Sequence, residues 1–419
     1  MYTMPPAMQA AIQNPPFRIS VTASVYQRPF PRPASFSAPF AWVGSEQLTV
    51  SPLPVESGSI TIDNSGAQRR IASLTVTPTD AILPVSVASA LTPFRNMVLL
   101  YYNVVGLDPV AYPASSILLG IFTLTDVTAS APSSGDRTMT LDLQDLSQDI
   151  SRRVLTKTYV TPNGTSMTQA ARQLMESAAP GVIPWFQADS TSAITSGSDS
   201  APDQPNAAGY TWDPGQDPWE AGQEMGQAIG MQLYFTPTGV CVMSYLPNPA
   251  ATPPCWAYSQ GSGSPWGPPN ITAISRTFSQ SQVYNFIQMI VESANSNPSP
   301  DLLYTGTSFL AQVGDTDPSS PTNMDGPFGQ VADVFYDQFN YQSGPALIAA
   351  KTLLRQGLGA ADVVKFDALP NPAHECYDRI HVYSDRLGLI QDYIVDTVEL
   401  PLTPGKDMSI TARRVVNVP

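Results

Sequence analysis

The sequence predicts a mainly β protein that carries small α/β units. Charged residues are only 13% of 419 positions, and 42 prolines and 27 glycines punctuate the chain too often for long helices over most of it. From Phe17 to Arg153 nearly every stretch alternates apolar and polar residues at period two, the pattern of half-buried strands. Elsewhere short helical patterns lead directly into strand-like ones. The length exceeds what one core fills, so two to four domains are expected.

The first region, 1–155, holds "FRISVTASVY", "RIASLTVTP", "NMVLLYYNVV", "SILLGIFTLTDVTAS" and "RTMTLDLQDLS". Six or seven strands at this spacing predict a barrel or sandwich. Within it, "GSITIDNSGAQRRIASLTV" reads as a hairpin with strands at 59–63 and 71–76. Ile60, Ile62, Leu74 and Val76 share its apolar face, and the loop between ends in Arg69 and Arg70.

The period changes after Arg153. In "TSMTQAARQLMESAAPG", Ser166 is a helix cap with Gln169 three residues on, Met167, Ala171, Leu174 and Ala178 recur at helical spacing, and Pro180-Gly181 stops the helix. A loop over 188–216 follows. Asp217 then caps a second helix with Pro218 at its first position and Glu220 completing the box; Gly230 ends it, and a hairpin turns over Pro237-Thr238-Gly239. Together 156–247 form a small α/β domain.

Beyond it, strand-like segments over 248–340 and 373–419 read as a second β-rich domain. A helix capped by Ser343 and stopped by Gly357, with the strand after it, interrupts this domain as an inserted unit at 341–372. The order β-rich, α/β, β-rich with α/β insertion is a coarse internal duplication.

Little in the chain reads as chemistry. Cys241, Cys255 and Cys376 lack disulfide-framework or zinc spacing and read as core residues. His374 and His381 have opposite parity and fall on opposite faces of a strand, so they share no metal. The "HEC" at 374–376 lacks the PCxxC a zinc deaminase needs. Asp142, Asp145, Asp149, Asp315, Asp317 and Asp325 read as solvated strand ends and loops. A carboxylate pair for glycoside hydrolysis nevertheless stays open, as does sugar binding by loop aromatics such as Trp212 and Trp256. Residues 1–17 hold no Lys or Arg and no apolar run, so a protein made in a cytoplasm is expected. The net charge of −14 opposes tight phosphate binding.

Several motifs taken in order carry a resemblance: "GSITIDNSGAQRRIASLTVTP", "LLGIFTLTDV", "LDLQDLSQDISRRV", "DPWEAGQEMGQAIGMQLYFTPTGVCVM", "LPNPAHECYDRIHV" and "YIVDTVELPLTPGKDMSITARRV". Over about 50–416 the chain resembles the baseplate-hub or tail-tip (minor tail) proteins of long-tailed, siphovirus-like bacteriophages, above all those of actinobacteria. The resemblance implies two tail-tube-like β-barrel domains, each accompanied by a smaller α/β domain. It further implies a non-enzymatic homotrimer at the virion tail tip, joining a sixfold tube or distal tail ring to a threefold tip around the DNA exit channel. The implied partners are the distal tail protein, the tape-measure protein and fibre or spike proteins, with DNA only in transit, no stable membrane insertion and no cofactor. Some such proteins carry a further segment beyond the hub; a chain ending soon after its last strand is expected to be a hub alone.

In a ring of barrels the paired arginines become candidate intersubunit or interdomain contacts, since Arg suits bidentate pairing at interfaces: Arg69 and Arg70, Arg152 and Arg153, Arg413 and Arg414. Solvated hairpin decoration is the alternative for each pair. No catalytic, cofactor-binding or metal-ligating residue is assigned.

Overall fold

The computed structural model describes residues 4–416 except 14–15, 28–45, 48–51, 90, 95, 109, 111–112, 132–134, 136, 162–164, 184–185, 189–210, 249–250, 282, 292–308 and 338–342. The chain is mainly β, with few helices.

A short helix, α1 (Pro6–Gln13), leads into β1 (Phe17–Gln27), β2 (Glu46–Gln47), β3 (Val55–Asp63), β4 (Arg70–Val76), β5 (Asn96–Gly106), β6 (Ser115–Ser130) and β7 (Thr138–Asp145). Hydrogen bonding orders six of these β3-β4-β7-β6-β5-β1, with β2 beyond β1. A bridge between Ala23 of β1 and Leu53, just ahead of β3, closes the six into a barrel; the Leu53 N–H donates to the Ala23 carbonyl at 2.8 Å. Period-two alternation explains the filling: Ile60, Leu74, Val76, Leu100, Tyr102 and Leu141 are fully buried.

The chain then builds the first α/β unit from α2 (Ser147–Ser151), β8 (Tyr159–Val160), α3 (Met167–Ala178), β9 (Phe186–Ala188), β10 (Thr211–Trp212), α4 (Pro218–Ala228), β11 (Met231–Phe235) and β12 (Cys241–Tyr245). Both expected caps are present. The Ser166 side chain accepts from the Gln169 N–H, and Asp217 accepts from the Trp219 and Glu220 N–H groups. Leu174, Met175, Trp219, Met225, Phe235 and Met243 fill a second core, to which Met97 of β5 and Ile121 of β6 contribute from the barrel.

The second half starts with β13 (Trp256–Gln260) and β14 (Ile271–Phe278). An excursion follows of β15 (Phe286–Val291), β16 (Phe309–Gly314), β17 (Ala332–Asp337) and α5 (Ser343–Gly359), before β18 (Asp362–Ala368), β19 (Arg379–Ser384), β20 (Leu389–Pro401) and β21 (Met408–Arg414). The pairings β13-β19-β20-β21-β18-β14 form a second six-stranded array. Asn270 closes it, its N–H donating to the Ser259 carbonyl and its side-chain amide to that of Ala257.

The two barrels share one topology. Replacing β1, β3, β4, β5, β6 and β7 by β13, β14, β18, β19, β20 and β21 converts one neighbour order into the other. The only change of direction is at β13, which runs parallel to β19 where β1 is antiparallel to β5. An irregularity coincides as well: β6 slips register against β7 between Leu124 and Asp126, as β20 does against β21 between Val395 and Thr397. The barrels are joined by backbone, because Thr397–Pro401 of β20 pair antiparallel with Ser59–Asp63 of β3. A single apolar core runs through both.

Two assignments differ from the sequence reading. The segments over 286–337, expected in the second β-rich domain, form their own sheet β16-β15-β17, on which α5 packs through Ala346, Ala349 and Leu354. The strand after α5, expected in the inserted unit, is β18 of the large sheet. Alternation identifies a strand but not its sheet, which long-range pairing decides. Gly357 does not end α5, which continues to Gly359; a Cβ there would lie 3.1 Å from the Tyr284 carbonyl, so close approach rather than termination places the glycine. Among the described residues no helix is long and apolar enough to cross a membrane.

Candidate functional site: a buried arginine junction

The loop between β3 and β4 lies where the first barrel, the first α/β unit and the second barrel meet. Arg70, at the start of β4, is 1% exposed. Its backbone N–H donates to Asp145 at 3.1 Å, while its guanidinium donates to the Phe235 carbonyl in β11 and pairs with the Glu375 carboxylate ahead of β19. One side chain thereby ties three units, with divergent donors that only a guanidinium supplies. Arg69, also buried, donates to the Cys376 carbonyl at 3.1 Å, and its guanidinium sits 4.1 Å from the centre of the Tyr234 ring. Trp219, buried at the start of α4, donates its indole N–H to the Ala67 carbonyl at 2.9 Å and completes the grip on the loop.

Other groups hold this junction. Asp145 also accepts from the Ser147 N–H at 3.0 Å; burial pushes its carboxyl above the ordinary range, against the Ser147 hydrogen bonds and the Arg70 charge. Tyr377 has φ of +69°, the one positive value outside glycine among the described residues, and it is pinned by a 2.8 Å bond from its N–H to the Val395 carbonyl. Arg413 pairs with Asp396 at 2.9 Å and lies 5.6 Å from the Tyr377 ring. A cleft of about 440 Å³ opens beside these groups, lined among others by Asn64, Arg69, Trp219, Tyr234, Phe335 and Arg413.

Of the six arginines singled out in the sequence, the fold gathers Arg69 and Arg413 around Tyr377, with Arg70 beside Arg69 on the shared Glu375 carboxylate. Of the other three, Arg152 is half exposed on the buried Asp149 at 3.1 Å, Arg153 is partly buried, and Arg414 ends β21 in an exposed position, lining a small pocket with Tyr377 and Arg413. The contacts of Arg69 and Arg70 bind units of one chain to each other. Glu375, Phe235 and Asp145 were missed as their partners. The Glu375 signal lay within "HEC", a charged residue beside an apolar strand.

The carboxylates and aromatics correct the sequence reading. Asp145, Asp149 and Asp315 are buried rather than solvated: Asp149 accepts from Thr123 at 2.6 Å, and Asp315 from Thr322 at 2.7 Å. Asp145 and Asp315 accept from hydroxyls and backbone N–H groups and hold turns, whereas Asp149 ties α2 to β6 through Thr123 and faces Arg152. Trp212 is buried against Tyr159, which removes it as a sugar platform; Trp256 lies in β13. Cys255, His374 and Asp378 place potential ligand atoms within 4.8 Å of one another. Both His374 nitrogens are already engaged, Nδ1 with Asp378 at 3.0 Å and Nε2 with the Tyr258 hydroxyl at 2.7 Å, so the trio is a buried hydrogen-bond network. His381 is separate, bonded to Asp392 and stacked on Trp266.

No protein-family profile and no curated protein matches the sequence. Solved structures do match its fold. A tail protein from Neisseria meningitidis aligns over 94% of this chain and 96% of its own at a TM-score of 0.57 and 11% identity. The 43 kDa tail protein of prophage MuSo2 from Shewanella oneidensis aligns over 94% and 98% at a TM-score of 0.53 and 11% identity. The chain has the fold of phage tail proteins. A Francisella PdpA-VgrG complex also aligns, over 96% of this chain and 54% of that one, at a TM-score of 0.51 and 9% identity. Near-complete coverage of both tail proteins means that the whole arrangement of barrels and α/β units is shared, beyond a single barrel.

Proposed function

We propose that the chain is a structural, non-enzymatic hub of a phage tail tip, three copies of which form a ring of six barrels around the DNA exit channel. The observation that carries this reading is the pair of six-stranded barrels with one neighbour order and one shared bulge, joined edge to edge by β3 and β20. A subunit with two equivalent barrels lets a threefold assembly continue a sixfold tube. The net charge of −14 suits a channel through which DNA passes without binding. In this reading the ring contacts a distal tail protein above, the tape-measure protein inside and fibre or spike proteins below, and resides in the virion. Light scattering on the purified chain tests it: the predicted mass is three times the chain's 44.9 kDa. A single-chain mass, together with clearing of peptidoglycan that one carboxylate substitution abolishes, would overturn it in favour of a wall hydrolase.

A further inference from the structure

The two barrels are equivalent, yet each has an edge that the other has already used. At the joined edge, β20 gives residues 397–401 to β3. The equivalent stretch of β6 follows from the shared bulge, with Asp126 standing for Thr397 and Val127 for Val398. β6 residues 126–130 pair with β7 on one side, whereas pairing with β5 stops at Thr123. Among the described residues no strand lies along their other side.

The partner edge is found in the same way. Leu143 pairs with Ala72, which pairs with Ile60; the equivalent chain is Ala412, Val364 and Arg276. Ile60 therefore corresponds to Arg276, and Ile62 to Phe278. Among the described residues β14 pairs only with β18, and its outer edge is open. Burial marks the difference between the used and unused edges: Ile62 is 4% exposed and its partner Val398 1%, whereas Phe278 is 69% exposed. An eight-residue edge strand with an exposed aromatic is what soluble proteins ordinarily protect.

We infer that residues 126–130 of β6 in one copy of this chain pair antiparallel with residues 275–279 of β14 in a second copy, repeating between chains the ladder that joins the two barrels within one. The register is set by the internal equivalence, with Val127 opposite Phe278, Thr128 opposite Thr277 and Ser130 opposite Ser275. No like charges oppose one another in it, and Phe278 is covered as Ile62 is. The contact is head-to-tail, so each chain gives β6 to one neighbour and takes β6 from another. The inference rests on the reading of the chain as a ring subunit, and adds which strands meet and in which register.

The test uses the full chain with Thr128→Cys and Thr277→Cys together, both at exposed positions, oxidised mildly and run on a non-reducing gel. Covalently linked multimers are predicted from the double variant, and linked pairs when the two single variants are mixed. Thr128→Cys with Thr272→Cys, five residues off register, is predicted to give at least tenfold less product. Phe278→Asp is predicted to weaken association at least tenfold with an unchanged circular dichroism spectrum. A chain that assembles to the mass of three copies without cross-linking, or that cross-links equally through Thr272→Cys, overturns this ladder and leaves the hub reading standing. A chain that stays at single-chain mass at every concentration and gives no cross-link overturns both.

Discussion

Arg70 at the start of β4 reaches the carboxylate of Glu375, 305 residues further along the chain, with its guanidinium almost wholly out of water. The first barrel is thereby fastened to the second by a charged pair, while the same guanidinium holds the carbonyl of Phe235 in the first α/β unit. Truncating it leaves a carbonyl and a carboxylate short of a donor. Arg70→Ala is expected to destabilise the chain by about 2–4 kcal/mol, read from the denaturant midpoint. Arg70→Lys should recover little of this, because a single ammonium does not span both acceptors as the fork does.

Gly230 sits at φ of +74° after α4, and a Cβ there would stand 3.1 Å from the backbone of Ala349 in α5. The glycine lets the two α/β units touch. Gly230→Ala combines left-handed strain with this contact and should cost about 1–3 kcal/mol. Hydrogen exchange should quicken first in α5, the element pushed away.

Asp217 caps α4 and also accepts from the Ser151 hydroxyl, so one carboxylate fixes both the start of α4 and the end of α2. Asp217→Ala should cost about 1–2 kcal/mol, the upper part of the range for a lost N-cap. Asp217→Asn keeps an acceptor and should cost less. Thermal unfolding of the two variants side by side decides this.

The three cysteines are free thiols. Burial pushes Cys255 and Cys376 up to about 12 and Cys241 well above its usual value, with Asp378 adding to the effect at Cys255. At pH 8 a thiol of that acidity is thiolate in about one molecule in ten thousand. The native chain should therefore resist iodoacetamide at pH 8 and take up three equivalents once unfolded in denaturant. Rapid native labelling at Cys255 would contradict the packing around Asp378.

What was legible in the sequence was local. The hairpin alternation placed Ile60, Ile62, Leu74 and Val76 on the face that the structure buries, and the Ser166 and Asp217 caps begin the helices they were read to begin. Partners far along the chain were not legible. Arg69 and Arg70 read as candidate contacts between subunits or domains, but their partners did not, because Trp219, Phe235 and Glu375 reach the loop only after the α/β unit and the second barrel arrive. Asp145 and Asp149 read as a polar strand end for the same reason, since α2 folds back and puts Asp149 against Thr123. Exposed Phe278 carried no signal until its equivalence with Ile62 could be traced through four ladders.

The central claim is that two like barrels per chain build one ring, and electron micrographs of the assembled chain viewed down its axis test it most directly. Threefold averages in which six barrel-sized lobes surround an open centre are the expected result. Averages with twofold symmetry, or particles of two lobes without a closed ring at any concentration, would contradict it.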